Sequence, residues 1–121
     1  MSEREGQVMS RVIKRNGEEV SFDLSKIVNA IKAANAEVDN IFRMNEYQIQ
    51  AIANDIAQQV QSSTHAVNVE DIQDMVETGI MSMRGYEVAQ KYVRYRYKRE
   101  LARKSNTTVN GILALIGHLN E

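Results

Sequence analysis

The sequence predicts an α+β fold in which a small two- or three-stranded sheet packs on a bundle of about four helices, with a C-terminal helical extension. Three observations predict this class. Residues 7–22 alternate apolar and polar side chains, the later segments repeat apolar residues at helical spacing, and the 121 residues include no proline. With 43% hydrophobic residues, a chain of this length can bury one core, so we expect one main domain.

The sheet is predicted from the N-terminal alternation and from one later segment. The apolar members of the alternation are Val8, Val12, Val20 and Phe22. Asn16-Gly17 lies between the two halves and predicts a hairpin with a type I′ turn, since both residues tolerate positive φ. The β-favouring segment around Val67 predicts a short third strand.

The helices are predicted from capping residues and from three- and four-residue spacing. We expect N-caps at Asp23, Asn45 and Asn68, with Gln48 completing a capping box, and a fourth helix after Gly85. The predicted core faces are Leu24, Ile27, Val28, Ile31 and Ala34; Ile49, Ile52, Ala53, Ile56 and Val60; Ile72, Met75, Val76, Ile80 and Met83; and Val88, Ala89, Tyr92 and Tyr95.

The ends of two helices are predicted from polar segments. We expect residues 58–65 to form the frayed end of the second helix and a loop. Residues 105–110 are polar and β-branched, which predicts a break after the fourth helix, and residues 111–119 predict a final short helix.

Charge and composition exclude several classes of protein. The net charge of −1 argues against general nucleic-acid capture, although residues 35–77 carry −7 and residues 84–104 carry +6. The chain has no cysteine, which excludes disulfides and cysteine-ligated metals within it. It has no apolar run near the roughly 20 residues of a membrane span, so we expect no membrane association and a cytoplasmic location.

Three cations near the hairpin predict a phosphate site. Lys14 and Arg15 flank the turn, and Lys26 enters from the first turn of the next helix. The alternative is that these charged side chains only protect the edge of a strand from pairing with another chain. Asp23, between them, has two interpretations: it contacts a lysine, a ribose hydroxyl or Mg²⁺, or it only caps the helix.

Two further segments have competing interpretations. Val69 and Gln73 could hold an adenine ring between an apolar surface and an amide edge, or simply form one helix face. The segment 92–99 interleaves tyrosines with basic residues, which suits single-stranded nucleic acid, but the helical spacing favours a buried tyrosine seam beside a solvated basic face. No phosphate-hydrolysing or hydride-transferring motif occurs, and the two histidines lack metal-ligand spacing, so the chain is expected to bind rather than catalyse.

Several spaced blocks, in order, resemble the ATP-cone domain over about residues 8–100. They are Val12 to Gly17; Phe22-Asp23 with Lys26-Ile27 and Ala30-Ile31; Val67 to Gln73 with Val76-Glu77; and Val88-Ala89 with Tyr92, Tyr95-Arg96 and Arg99. This family occurs at the N-terminus of many ribonucleotide reductases and in a bacterial repressor of their genes. The resemblance implies an allosteric switch in which ATP permits activity and dATP promotes an inactive assembly.

The resemblance also implies site residues and partners. The implied nucleotide contacts are Val12, Lys14, Arg15, Asp23, Lys26, Val69, Gln73 and Arg99. The implied effector is ATP or dATP, with Mg²⁺ left open, and Val20 replaces an acid found after the turn in some members. We expect a homo-oligomer, with nucleic acid not a partner.

The C-terminal segment distinguishes two subclasses. Residues 103–121 resemble the linker into the catalytic body of an anaerobic ribonucleoside-triphosphate reductase, an oxidoreductase of deoxyribonucleotide biosynthesis for DNA replication. The expected organisation is a disordered tail at 1–6, the cone at 7–104, and at 105–121 a linker and the start of a catalytic domain that continues past Glu121. The alternative is a repressor-like cone protein acting as a nucleic-acid- or protein-binding helical module, but the cysteine zinc ribbon of that repressor does not occur here.

Overall fold

The computed structural model describes residues 10–120, with side chains for residues 10–105. The strands in that range are β1 (Arg11–Ile13), β2 (Glu19–Ser21) and β3 (Val67–Asn68). The helices are α1 (Leu24–Asn35), α2 (Glu46–Ser62), α3 (Val69–Ser82) and α4 (Tyr86–Asn120), with a 3-10 turn at Asn40–Phe42. The α+β prediction is confirmed. The predicted tail at 1–6 and Val8 lie outside the described residues.

The sheet has the order β2-β1-β3. β1 pairs antiparallel with β2, placing Val12 opposite Val20, and parallel with β3, placing Val12 opposite Val67 as well. The predicted third strand is therefore confirmed. Because α3 begins directly after β3, this pairing brings the N-terminus of α3 beside the hairpin.

The hairpin turn differs from the predicted type I′ turn. Gly17 has φ of 88°, whereas the only non-glycine residue with positive φ among residues 10–120 is Arg84, so Asn16 lies outside the left-handed region. The backbone N–H of Gly17 donates to the Lys14 carbonyl at 2.9 Å, and that of Lys14 donates to the Glu18 carbonyl at 2.8 Å. This is a type I turn followed by a left-handed glycine, a pattern that suits the twist of a hairpin as well as type I′ does.

The predicted starts of the first two helices are confirmed. The Asp23 side chain accepts a hydrogen bond from the backbone N–H of Ser25, and Asn45 and Gln48 form the capping box. Asn68 precedes α3 without a side-chain capping bond. The fully buried core includes side chains from all four helices: Ile31, Ile56, Val60, Val76, Ile80 and Val88.

Three sequence expectations are wrong in detail. α2 remains helical through Ser62 rather than fraying from residue 58. α4 continues through the predicted break at 105–110, because serine, threonine and asparagine weaken a helix far less than proline would. Tyr95 is 38% exposed rather than part of the core, whereas the predicted core residues Leu24, Met75 and Met83 are half-buried and pack against it. Within the part of the chain that the structure describes, none of the helices combines the length and apolarity of a membrane span.

Candidate functional site

A cleft of ≈ 730 Å³ lies between the hairpin, α1, the start of α3 and one face of α4. All eight residues singled out from the sequence line it: Val12, Lys14, Arg15, Asp23, Lys26, Val69, Gln73 and Arg99. In particular, Lys14, Arg15 and Lys26 share this one cavity. The cleft also has an apolar lining, from Val20, Phe22, Ile27 and Ile72 among others.

The local fold explains how distant segments converge. The type I turn places Arg15 at the tip of the hairpin, and the Asp23 cap starts α1 so that Lys26 falls in its first turn. The parallel pairing of β1 with β3 then brings Val69 and Gln73 to the same wall. The cleft is thus assembled mainly from one hairpin and the N-terminal turns of two helices, where backbone N–H groups favour anions.

Arg15 is held against the start of α3. Its guanidinium is ion-paired with the Glu70 carboxylate, and its Nη2 donates a hydrogen bond to Gln73 Oε1 at 2.9 Å. Partial burial lowers the pKa of Arg15, and the positive charge of Arg103 lowers it further. An arginine remains charged under such shifts, so Arg15 presents a fixed cation to the cleft.

Lys14 and Lys26 are both exposed, but their surroundings differ. The Lys14 Nζ lies 3.6 Å from the Glu18 carboxylate, within the hairpin itself. Lys26 has no ion-pair partner among residues 10–105. Its charge acts on the Asp23 carboxylate without an ion pair.

Asp23 does cap α1. Its Oδ1 accepts hydrogen bonds from the Ser25 backbone N–H at 3.0 Å and from the Ser25 hydroxyl at 2.7 Å. These bonds, led by the one from the hydroxyl, lower the pKa of the Asp23 carboxyl, so it is charged at neutral pH. Since Asp23 also lines the cleft, capping and ligand contact do not exclude each other.

Two cations that the sequence analysis did not assign to the site, Arg96 and Arg103, also line the cleft. Together with Arg99 they lie at helical positions i, i+3 and i+7, which fall on one face of α4. That spacing is visible in the sequence, but α4 carries other basic residues, and the sequence does not distinguish the ones that line the cleft. The lining therefore contains six cationic side chains and one carboxylate, Asp23, an imbalance that favours a polyanion.

Arg96 is tied to three acids of α3. Its guanidinium lies 2.9 Å from Glu70, 2.9 Å from Asp74 and 2.6 Å from Glu77. Partial burial opposes its charge, but the hydrogen bonds to Glu77 and Asp74 raise the pKa of Arg96 above its usual value. Arg96 of the basic segment 84–104 thus pairs with three carboxylates of the acidic segment 35–77 where α3 meets α4.

Tyr92 and Tyr95 of α4 both line the cleft but differ in burial. Tyr92 is 4% exposed, and its burial raises the pKa of its phenol to about 12. Tyr95 instead lies beside Arg99, which donates a hydrogen bond to its hydroxyl at 3.1 Å and sits 5.7 Å from its ring centroid, within cation–π range. The predicted buried seam is therefore correct for Tyr92 and wrong for Tyr95.

The same geometry does not favour the nucleic-acid interpretation of segment 92–99. A stacking platform needs exposed rings beside uncommitted bases. Tyr92 is buried, Tyr97 is 61% exposed, and the intervening Arg96 is bound to acids. These side chains therefore do not present one continuous aromatic and basic surface.

Comparison with known proteins gives the family. The ATP cone domain matches residues 10–101, which include every element from β1 to the first half of α4. The chain belongs to the ATP-cone family. ATP-cone domains bind ATP or dATP as allosteric effectors, so the chain is an allosteric nucleotide-binding domain.

One relative of this ATP-cone chain is the anaerobic ribonucleoside-triphosphate reductase of Haemophilus influenzae. The two are 36% identical over 97 residues, which cover 79% of the ATP-cone chain. The match covers 13% of the reductase, so the similarity concerns one domain of a much longer protein.

Proposed function

We propose that this ATP-cone is the regulatory domain of an anaerobic ribonucleoside-triphosphate reductase and that it sets the overall activity of the enzyme in response to ATP and dATP. The observation that carries the proposal is the single cleft lined by all eight expected contact residues. The similarity to the Haemophilus influenzae reductase supports the choice of enzyme. On this proposal the catalytic partner is a further domain of the same cytoplasmic protein, and the cones assemble as homo-oligomers.

The nucleotide would occupy the cleft in a defined orientation. Lys14, Arg15, Lys26 and Arg99 would contact the phosphates, and Mg²⁺ would accompany the phosphates where it is present. Val69 and Val12 would pack on the base while Gln73 reads its polar edge. Because Gln73 also accepts from Arg15, one amide would connect the base with the phosphate side of the site.

Discrimination between ATP and dATP requires a group that senses the ribose 2′-hydroxyl. Val20 lines the cleft, but its side chain cannot form a hydrogen bond. The polar lining residues Ser21, Asp23 and Asn29, on β2 and around α1, are candidates for contact with the 2′-hydroxyl. A ligand shifts a conformational equilibrium only through different affinities for the two states. Loss of one hydroxyl contact would supply such a difference.

Calorimetric titration of the chain with ATP, and separately with dATP, in the presence of Mg²⁺ tests the proposal. We expect saturable binding, and Lys26→Ala should weaken it roughly ten-fold or more, since a hydrogen bond to a charged group contributes about 1.5–3 kcal/mol. The matched control is Lys98→Ala, because Lys98 is exposed and lies outside the cleft lining. Absence of binding, or equal losses in both variants, would contradict the proposal.

A further inference from the structure

Arg103 lies beyond the matched family segment and yet belongs to the cleft. The ATP cone match ends at residue 101, whereas Arg103 lines the cavity together with Arg96 and Arg99. The helix α4 that carries it continues to Asn120. Arg103 therefore connects the ligand site to the part of α4 that leaves the family domain.

The three arginines of this row differ in how far their charges are already compensated. Arg96 is bound to three carboxylates, and Arg99 contacts Tyr95. Arg103 has no ion-pair or hydrogen-bond partner within residues 10–105. Of the row, it is the cation most available to an incoming anion.

Arg103 also acts electrostatically on the hairpin, another element of the cleft. Beyond the effect of partial burial, the positive charge of Arg103 lowers the pKa of Arg15, at the tip of the hairpin, while the negative charge of Glu100 raises it. Two like charges on separate elements repel each other. An anion placed between them attracts both, and these attractions offset the repulsion. Arg15 and Arg103 thus line one cleft from two separate elements, the hairpin turn and α4.

We infer that Arg103 is a polyphosphate-binding residue that makes α4 beyond residue 101 sensitive to occupancy of the cleft. This inference rests on the proposed function, because the ligand is the nucleoside triphosphate of that site. The bound phosphates bridge Arg15 and Arg103, hold this turn of α4 against the hairpin, and so stabilise the helical segment that follows. Occupancy is thereby transmitted along α4 toward Asn120.

Calorimetry and amide hydrogen exchange on the whole chain, with and without ATP and Mg²⁺, test this inference. Arg103→Ala should weaken ATP binding roughly ten-fold, and Arg103→Lys should recover part of the loss because it keeps the charge. In the wild-type chain, ATP should slow exchange several-fold in segment 100–110, and Arg103→Ala should abolish that protection while retaining protection around residues 12–26. Lys104→Ala is the matched control, since this substitution also removes one positive charge, at the neighbouring position. Lys104 pairs with Glu100, and both residues lie outside the cleft lining.

The outcomes separate the two proposals. If the wild-type chain does not bind ATP, the proposed function fails and this inference fails with it. If the wild-type chain binds ATP but Arg103→Ala matches Lys104→Ala in both affinity and exchange, only the role of Arg103 is wrong. Because Arg103 is exposed, its replacement leaves the core intact, and an unchanged far-UV circular dichroism spectrum will verify this.

Discussion

The Arg15 guanidinium is ion-paired with the Glu70 carboxylate, which fastens the hairpin turn to the first turn of α3. The same carboxylate lies 2.9 Å from Arg96 on α4. One acid therefore connects three elements around the cleft and partly neutralises two of its arginines.

Glu70→Gln should tighten ATP binding. The amide keeps the size of the side chain but removes one negative charge that competes with the phosphates for Arg15 and Arg96. We expect a gain of roughly five-fold, which corresponds to about 1 kcal/mol, together with a lower melting temperature of the ligand-free chain. Calorimetry and thermal unfolding measure the two effects.

Asp71→Asn is the control for Glu70→Gln. Asp71 occupies the same first turn of α3, so its loss changes the interaction with the helix dipole in a similar way, but it is not ion-paired with Arg15 or Arg96. Asp71→Asn should leave ATP affinity near the wild-type value. Weaker binding by Glu70→Gln would show instead that the carboxylate serves to position the arginines.

Lys26→Ala should weaken ATP binding more than Lys14→Ala does. Lys14 shares its charge with Glu18 at 3.6 Å, and that contact must be given up before Lys14 can bind a phosphate fully. Lys26 forms no ion pair within residues 10–105, and the Asp23 carboxylate that its charge acts on is already bonded to Ser25. The two dissociation constants, compared at the same salt concentration, check the order, and the reverse order would refute this explanation.

The helices were predictable because their signals are local. Apolar spacing and the capping pairs at Asp23 and Asn45 identified the first two helix starts. The turn type was not predictable, because Asn16-Gly17 suits a type I turn with a left-handed glycine as well as type I′. The continuation of α4 past residue 105 was also missed, because weak helix formers permit a break without requiring one.

The site was predictable where a short segment determines the geometry. Lys14, Arg15 and Lys26 are close in sequence, so a hairpin followed by a helix brings them together. Arg96 and Arg103 were missed because the basic residues of α4 are alike in sequence, and only packing against α3 and the hairpin determines which of them line the cleft. Pairing of Glu70 with both Arg15 and Arg96 depends on tertiary contact alone.

Arg84→Gly should stabilise the chain. Arg84 has φ of 64° at the end of α3, where the Gly85 N–H donates to the Ile80 carbonyl at 3.1 Å and the Arg84 N–H to the Met81 carbonyl at 2.9 Å. This helix-ending motif favours glycine in the left-handed position. We expect a gain of about 0.5–1 kcal/mol in the free energy of unfolding from denaturant titration. Arg84→Ala, which keeps the strain, should show no such gain.

Gly79→Ala should destabilise the contact between α2 and α3. A Cβ atom at this position would lie 2.8 Å from Ile52 Cγ2, and Ile52 is buried. We expect a loss of about 1–3 kcal/mol in the free energy of unfolding. The loss should be smaller in an Ile52→Leu background, because leucine lacks the methyl branch at Cβ. Equal losses in both backgrounds would place the strain elsewhere.

We propose that one cleft binds a nucleoside triphosphate between the hairpin, α1, α3 and α4. Titration of the isotopically labelled chain with ATP and dATP, followed by backbone amide chemical shifts, tests it most directly. We expect saturable chemical-shift changes concentrated in residues 12–26, 69–73 and 95–103. The changes caused by ATP and by dATP should differ for the amides that lie near the ribose. Absence of shifts, or shifts confined to the exposed side of α2, would contradict it.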